Sequence, residues 1–280
     1  MALTGLKQLV VEKSRLIVLD GGLATELEKD PRVDLSTNSL WSASLLLDRN
    51  AHLQQVVVNV HKTYFLAGAD VATTTSYQAS ADGFKHEGVT SIEDVEKLFA
   101  RSIDLGVHAR DAAWNEMDQS QRIKPLVGAS IGCYGAALAD GSEYRGDYGK
   151  SKEQLVAWHK HRFAFFANYA HVDLLICETI PCLVELLAVG INCTPPQQVE
   201  SLLRELNCPW PKAVYPNSGE EWDGVNKKWL SADSGGGPSS WEELLPKWYD
   251  AGARFFGGCC RTSPNDIRAI RDYFERRQLL

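Results

Sequence analysis

The sequence predicts an α/β protein folded as a (β/α)8 TIM-like barrel, and three observations predict it. Short apolar runs of strand length alternate with longer stretches whose apolar residues recur at helical spacing, the pattern of a parallel sheet with right-handed crossovers. Polar and sulfur-bearing residues fall just after the predicted strands, at Asp20, Tyr77, Glu178, Cys193, Asn217, Cys259 and Cys260, and the loops at the strands' amino ends are expected to carry none. The length, 280 residues, suits one such barrel, so residues 1–280 are read as a single domain.

The first strand is Leu16-Ile17-Val18-Leu19, an apolar run of the kind buried on both faces of a parallel sheet, closed by Asp20-Gly21-Gly22. Helical spacing predicts a helix over 53–67, stopped by Gly68-Ala69, and a strand over 70–77 follows. Val95, Leu98, Phe99, Ile103, Val107 and Ala113 mark one face of a helix over 92–114. The third strand spans 125–132, and a long polar loop runs from it to Lys150. An aromatic-rich helix over 154–169 leads to a fourth strand over 173–179, which closes on the carboxylate of Glu178. The fifth strand, 189–193, ends on Cys193. Pro195-Pro196 then opens a helix reaching Leu206, because proline suits the first helical position. A sixth strand over 213–217, a Gly- and Ser-rich loop and a helix over 241–251 precede the seventh strand, 254–258. Ser263, Pro264 and Asp266 form the start signal of the last helix.

One join is too short. About eight residues separate Thr179 from the strand at Val189, whereas a parallel crossover needs a dozen or more. Seven strands are found where a closed barrel has eight. Both observations place a missing β-α unit between Leu187 and Val189.

The composition is that of a soluble globular protein, 44% hydrophobic and 23% charged. A net charge of -7 argues against nucleic acid or an anionic membrane as the main partner, and no apolar run is long enough to span a bilayer. Residues 1–15 intersperse charges among apolar residues and read as a capping helix, not a signal peptide. Seven cysteines, an odd number in mostly apolar contexts, then suggest reduced thiols in the cytoplasm and not a disulfide framework. For the same reason the sequon Asn192-Cys193-Thr194 is discounted.

The chemistry centres on Cys193, Cys259 and Cys260. Neighbouring residues on a regular strand point to opposite faces, so two adjacent thiols serve one site only if the backbone turns, and Gly257-Gly258 are expected to permit that turn. Three thiolates from two strand ends would bind Zn2+ at about 2.3 Å and leave a fourth position open. A zinc with three thiolates is a poor acid for activating water but suits a soft sulfur ligand. The alternative reading is three buried packing cysteines, since no C-x-x-C pair is present. Cys133, Cys177, Cys182 and Cys208 are read as packing residues.

Four segments together resemble the homocysteine S-methyltransferase family: Asp20-Gly21-Gly22-Leu23-Ala24-Thr25-Glu26-Leu27, Val189-Gly190-Ile191-Asn192-Cys193, Val214-Tyr215-Pro216-Asn217-Ser218-Gly219-Glu220 and Gly257-Gly258-Cys259-Cys260-Arg261-Thr262. The similarity runs from about Leu16 to the last helix. Residues 140–148 are similar to the branch that uses S-methylmethionine or S-adenosylmethionine.

The resemblance implies a zinc barrel that methylates homocysteine to methionine, with Cys193, Cys259 and Cys260 as ligands and catalytic residues. It implies that Asp20 and Glu178 hold the amino-acid part of homocysteine. Physically, a carboxylate can bind an ammonium, and the backbone at Gly21 and Gly22 could admit it closely. Thr73 and Asn217 are further candidates for substrate contacts. The methyl donor would be a sulfonium, which aromatic faces suit, making Tyr77, Tyr144 and Tyr148 candidates. Small-molecule substrates, no nucleic acid or membrane partner and a monomer or weak homo-oligomer complete the expectation. Family members carry roughly fifty more residues at the short join, so the alternative is a shortened, catalytically impaired form that at most binds zinc or homocysteine.

Overall fold

Each predicted strand is present in the computed structural model, which describes residues 15–178, 188–223, 228–230 and 240–280. The strands are β1 (Ile17–Val18), β2 (Val71–Thr73), β3 (Leu126–Gly132), β4 (Leu174–Glu178), β5 (Val189–Asn192), β6 (Lys212–Tyr215), the hairpin strands β7 (Glu221–Asp223) and β8 (Lys228–Leu230), and β9 (Ala253–Phe256). The helices are α1 (Leu23–Leu27), α2 (Gln54–Ala67), α3 (Ala81–His86), α4 (Ile92–Trp114), α5 (Tyr134–Leu138), α6 (Lys152–Asn168), α7 (Pro196–Glu205), α8 (Trp241–Asp250) and α9 (Pro264–Glu275).

The parallel strands form two arms of one ring. One sheet has the order β1-β9-β6-β5 and the other β2-β3-β4. The arms meet where Leu19 bridges to Val71 and the Asp70 amide donates to the Val18 carbonyl at 2.7 Å. At the other end β4 pairs with β3 and β5 with β6, and among the described residues β4 and β5 do not pair. Among the described residues the ring is therefore open at the short join; residues 179–187 lie outside them.

Side-chain alternation along the strands builds two cores. Ile17, Val71 and Phe255 face inward and pack with Leu126, Leu174 and Ile176. Val18, Val214 and Phe256 face outward onto Trp248, Ile270 and Phe274 of α8 and α9. On β3, Val127, Ala129 and Ile131 pack outward with Leu98, Phe99 and Ile103 of α4 and Phe166 of α6, leaving Gly128, Ser130 and Gly132 on the inner face.

Helix boundaries follow their punctuation. Ser91 caps α4 by accepting from the Asp94 amide, and Ser151 with Gln154 forms a capping box on α6. Gly68 ends α2 in the left-handed region at φ 118°. Ser263 donates both its amide and its hydroxyl to Asp266 at the start of α9.

Several expectations need correction. The second strand stops at Thr73, not at residue 77, because Ser76 turns back to donate to the Thr74 carbonyl. The polar loop after β3 contains α5, and the loop after β6 contains the β7–β8 hairpin; α1 and α3 also lie outside the predicted elements. Their short runs carry too few turns for periodicity to register. The strands' amino ends are not free of polar groups. Asp70 is fully buried there, its Oδ1 accepting from Arg271 at 2.9 Å and from Arg122 at 3.3 Å while Oδ2 accepts from the Val18 amide. Cys133 is buried as expected and Cys208 half-buried, but Cys177 is exposed on β4 beside the open edge. Cys182, residues 1–14 and most of the Gly- and Ser-rich loop lie outside the described residues.

Candidate active site

The carboxyl ends of the strands bring the chemistry together. Cys193 follows β5 with φ 48°, a left-handed backbone that turns its thiol out of the strand's alternation. Cys259 and Cys260 follow β9. The three Sγ atoms lie within 4.8 Å of one another, and those of Cys259 and Cys260 are 3.9 Å apart. Thiolates at tetrahedral corners about 2.3 Å from a zinc stand about 3.8 Å apart, so the cluster fits such an ion. All three cysteines are free. Hydrogen bonds from Cys193 and Cys259 hold the Cys260 thiol well below its ordinary value.

The turn that presents Cys259 and Cys260 differs from expectation. Neither Gly257 nor Gly258 has a positive φ; the left-handed residue is Arg261, at φ 67°. The chain reverses when the Thr262 amide and hydroxyl both donate to the Cys259 carbonyl, at 3.1 and 2.6 Å. The glycines serve close approach instead. A Cβ on Gly257 would sit 2.6 Å from Leu19 Cβ, and one on Gly258 2.3 Å from Thr262 Oγ1. Gly21 and Gly22 press on the same turn: a Cβ on Gly22 would lie 2.6 Å from the Cys259 carbonyl oxygen. The Gly22 amide donates to Thr262 Oγ1 at 3.0 Å.

Two carboxylates face one another near the thiols. Asp20, 4% exposed, accepts from the Thr73 amide and hydroxyl. Glu178, the last residue of β4, accepts from the Ser130 hydroxyl. Burial pushes both carboxyls up to about 7, Thr73 and Ser130 oppose the rise, and the charge of Glu178 raises Asp20 further. Neither carboxylate has a cationic neighbour among the described residues. Asp20 is buried and Glu178 half-buried, and an acid pair without a counter-ion among the described residues is a place suited to an ammonium.

The remaining candidates are distributed more widely. Asn217 is buried with Oδ1 unpartnered, and its amide donates to the Thr194 carbonyl. The carbonyl of Tyr77 accepts from the Gly132 amide and from Arg162. Tyr148 spends its hydroxyl on Cys133 Sγ at 3.3 Å and lays its ring beside Tyr134. The side chain of Tyr144 lies outside the described residues.

Sequence reasoning missed Ser130, Tyr215 and Arg162. Tyr215, half-buried at the end of β6, neighbours Glu178, Cys259 and Cys193. Arg162 is buried, and its guanidinium binds the carbonyls of Ala79 and Gly132, tying α6 to the ends of the strands. The Gly-x-Ser-x-Gly alternation within apolar β3 was a signal for Ser130, because small residues leave room on the inner face.

The sequence profile described as Homocysteine S-methyltransferase matches residues 17–189 and 184–274, breaking at the short join. The homocysteine S-methyltransferase YbgG of Bacillus subtilis (strain 168) is 38% identical over 313 aligned positions, covering 94% of this chain and 96% of that protein. That alignment is longer than the 280-residue chain, so the relative carries residues this chain lacks. Among solved structures, the homocysteine methyltransferase MmuM of Escherichia coli in its metallated form superposes with a TM-score of 0.77 at 32% identity, covering 97% of this chain and 99% of that one. Its apo form superposes with a TM-score of 0.56 at 26% identity, covering 95% and 99%.

Proposed function

The chain belongs to the homocysteine S-methyltransferase family, and on that premise we propose that it transfers a methyl group from a sulfonium donor, S-methylmethionine or S-adenosylmethionine, to the thiol of homocysteine, giving methionine. One observation supports this most: three clustered thiols stand beside a buried and a half-buried carboxylate that have no counter-ion among the described residues.

Cys193, Cys259 and Cys260 would hold Zn2+. Bound there, it supplies thiolate character to an acceptor thiol at neutral pH. The chain's own residues do the rest. Asp20, oriented by Thr73, and Glu178, oriented by Ser130, bind the ammonium of homocysteine, and the unpartnered Asn217 Oδ1 offers a further acceptor. Gly21 and Gly22 contribute by omitting side chains where the amino acid meets the 259–262 turn. Tyr77 and Tyr148 are the aromatic candidates for meeting the sulfonium, with Tyr144 a candidate from the sequence alone. Transfer is an in-line displacement: the acceptor sulfur's electron pair forms the bond to the methyl carbon while the donor's carbon–sulfur bond breaks onto its own sulfur. The leaving group departs as a neutral thioether and needs no proton, so alignment carries much of the rate. The whole chain acts as one barrel domain on small molecules in the cytoplasm, as a monomer or weak homo-oligomer. Among the described residues no helix is long and apolar enough to cross a membrane.

A second reading is favoured by the open β4–β5 edge: a chain that takes up metal and homocysteine but turns over poorly. One experiment separates the two. Purified protein is assayed for zinc, expected at about one per chain, and for methionine formation with each donor. Zinc with methionine formation supports the first reading, and zinc without it the second. Full zinc content and activity in Cys259→Ser would overturn the assignment of the ligands.

A further inference from the structure

A short stretch of backbone at the end of β6 binds both groups of thiol-bearing residues. The Cys193 amide donates to the Tyr215 carbonyl at 3.3 Å, and the Asn217 amide to the Thr194 carbonyl at 3.1 Å. On its other side the Cys259 amide donates to the Pro216 carbonyl at 2.7 Å, and the Ser218 amide to the Cys260 carbonyl at 3.1 Å. Residues 215–218 are thus a template that fixes Cys193 relative to Cys259 and Cys260. Immediately beyond it, Gly219 turns the chain at φ 109° and sends Glu220 back to Arg261. Arg261 Nε reaches Glu220 Oε2 at 2.5 Å and a terminal nitrogen reaches Oε1 at 3.3 Å, a two-pronged pair.

Arg261 follows Cys260 directly, in the left-handed conformation that a non-glycine residue adopts only when its surroundings impose it. Two contacts impose it: the pair with Glu220, and the Arg261 amide donating to Thr25 Oγ1 at 3.0 Å. Neither Glu220 nor Arg261 belongs to the thiol cluster or the carboxylate pair.

We propose that Glu220 and Arg261 are a positioning pair that locks Cys259-Cys260 onto the 215–218 template and sets how long the three thiols retain a metal. This rests on the reading that those thiols hold one. Magnitudes separate positioning from plain stabilisation. The arginine side chain is 44% exposed and the glutamate 30%, and exposed pairs add little to stability. Groups that orient metal ligands, by contrast, commonly change metal affinity by about 10–100-fold.

The test uses the zinc-loaded full chain and follows zinc release into excess chelator, alongside thermal melting of the metal-free protein. Glu220→Gln and Arg261→Gln are expected to release zinc about tenfold faster or more, while their metal-free melting stays close to wild type. Arg261→Lys, which keeps the charge but not the fork, is expected between them and wild type. The exchanged pair Glu220→Arg with Arg261→Glu is expected to recover slow release. Zinc in the wild type with unchanged release in every variant overturns the positioning pair alone. A wild type that takes up no zinc overturns the metal reading and the pair's role together. Faster release accompanied by an equal loss of metal-free stability assigns the pair a merely structural role and overturns it as well.

Discussion

Thr73 gives both of its hydrogen-bond donors to one carboxylate, its amide reaching Asp20 Oδ2 at 2.8 Å and its hydroxyl Oδ1 at 2.9 Å. The contact joins the carboxyl end of β2 to that of β1, and it leaves the carboxylate a single orientation. Hydrogen bonds to a charged group are worth about 1.5–3 kcal/mol. Thr73→Val, close in shape, is therefore expected to raise KM for homocysteine roughly tenfold or more, with zinc content unchanged. Steady-state kinetics beside metal analysis check it, and an unaltered KM would remove Asp20 from the substrate site.

The two acids also set a pH dependence. Burial raises the carboxyls of Asp20 and Glu178 to about 7, from ordinary values of 3.8 and 4.5. The folded, ligand-free chain then holds protons more tightly than the unfolded one. Their contribution to stability is complete below about pH 4 and is lost as pH rises through about 7. Asp20→Asn should accordingly stabilise the ligand-free protein at pH 8 and change little at pH 4.5. Homocysteine binding should strengthen from pH 6 to pH 8 as the acids ionise. Melting curves and calorimetry at these pH values read both; a stabilisation by Asp20→Asn that is equal at the two pH values would contradict the shift.

His61 runs the other way. It is fully buried with neither ring nitrogen partnered, and burial lowers its pKa to about 4. Its neutral form is the folded form, so the stability it contributes is present above pH 6.5 and falls away as pH drops toward 4. His61→Leu is expected to melt higher relative to wild type at pH 5 than at pH 8, read by circular dichroism. An offset independent of pH would mean that proton binding at His61 is not responsible.

Gly258→Ala tests close approach. The added methyl would meet Thr262 Oγ1 at 2.3 Å, and Thr262 holds the turn through the Cys259 carbonyl and the Gly22 amide. The turn must move, and the thiols with it. Zinc content should fall well below stoichiometric while helix content stays normal. Retained zinc would show that the turn has slack.

Asp70→Asn probes the opposite rim. Asp70 is wholly buried between Arg271 and Arg122, and breaking a buried pair by removing one partner costs about 3–5 kcal/mol. Chemical denaturation should show a loss of that order with no change in the zinc content of the folded fraction. A loss under about 1 kcal/mol would mean that solvent reaches the cluster.

The ring strands and the flanking helices were legible because periodicity over many residues averages out local exceptions, as in α4, whose bounds the pattern gave at both ends. Cys193, Cys259, Cys260, Asp20 and Glu178 were legible because each ends or follows an apolar strand. The reason for Gly257-Gly258 was not, since a left-handed backbone and a close contact leave the same residue in the sequence. Arg162 was hidden within a helix whose apolar face is weakly marked, and only its three-dimensional reach to the carbonyls at the strand ends reveals it. Asp70 read as the start of a strand; the two arginines that neutralise it lie 52 and 201 residues away.

Among the described residues the edge between β4 and β5 is unpaired, a split ring whose site is divided unevenly between its arms. Every thiol of the cluster stands on the four-stranded arm together with Asp20, while Glu178, Ser130 and Thr73 stand on the three-stranded one. Springing of the ring would therefore change the distance from Glu178 to the thiols and leave the distances among the thiols alone. A metal held by the thiols would be insensitive to closure, whereas a substrate held by Glu178 would not. An amino acid gripped by Asp20 on one arm and Glu178 on the other would act as a clip across the gap, so that substrate itself supplies part of the rigidity that an unbroken barrel has before anything binds.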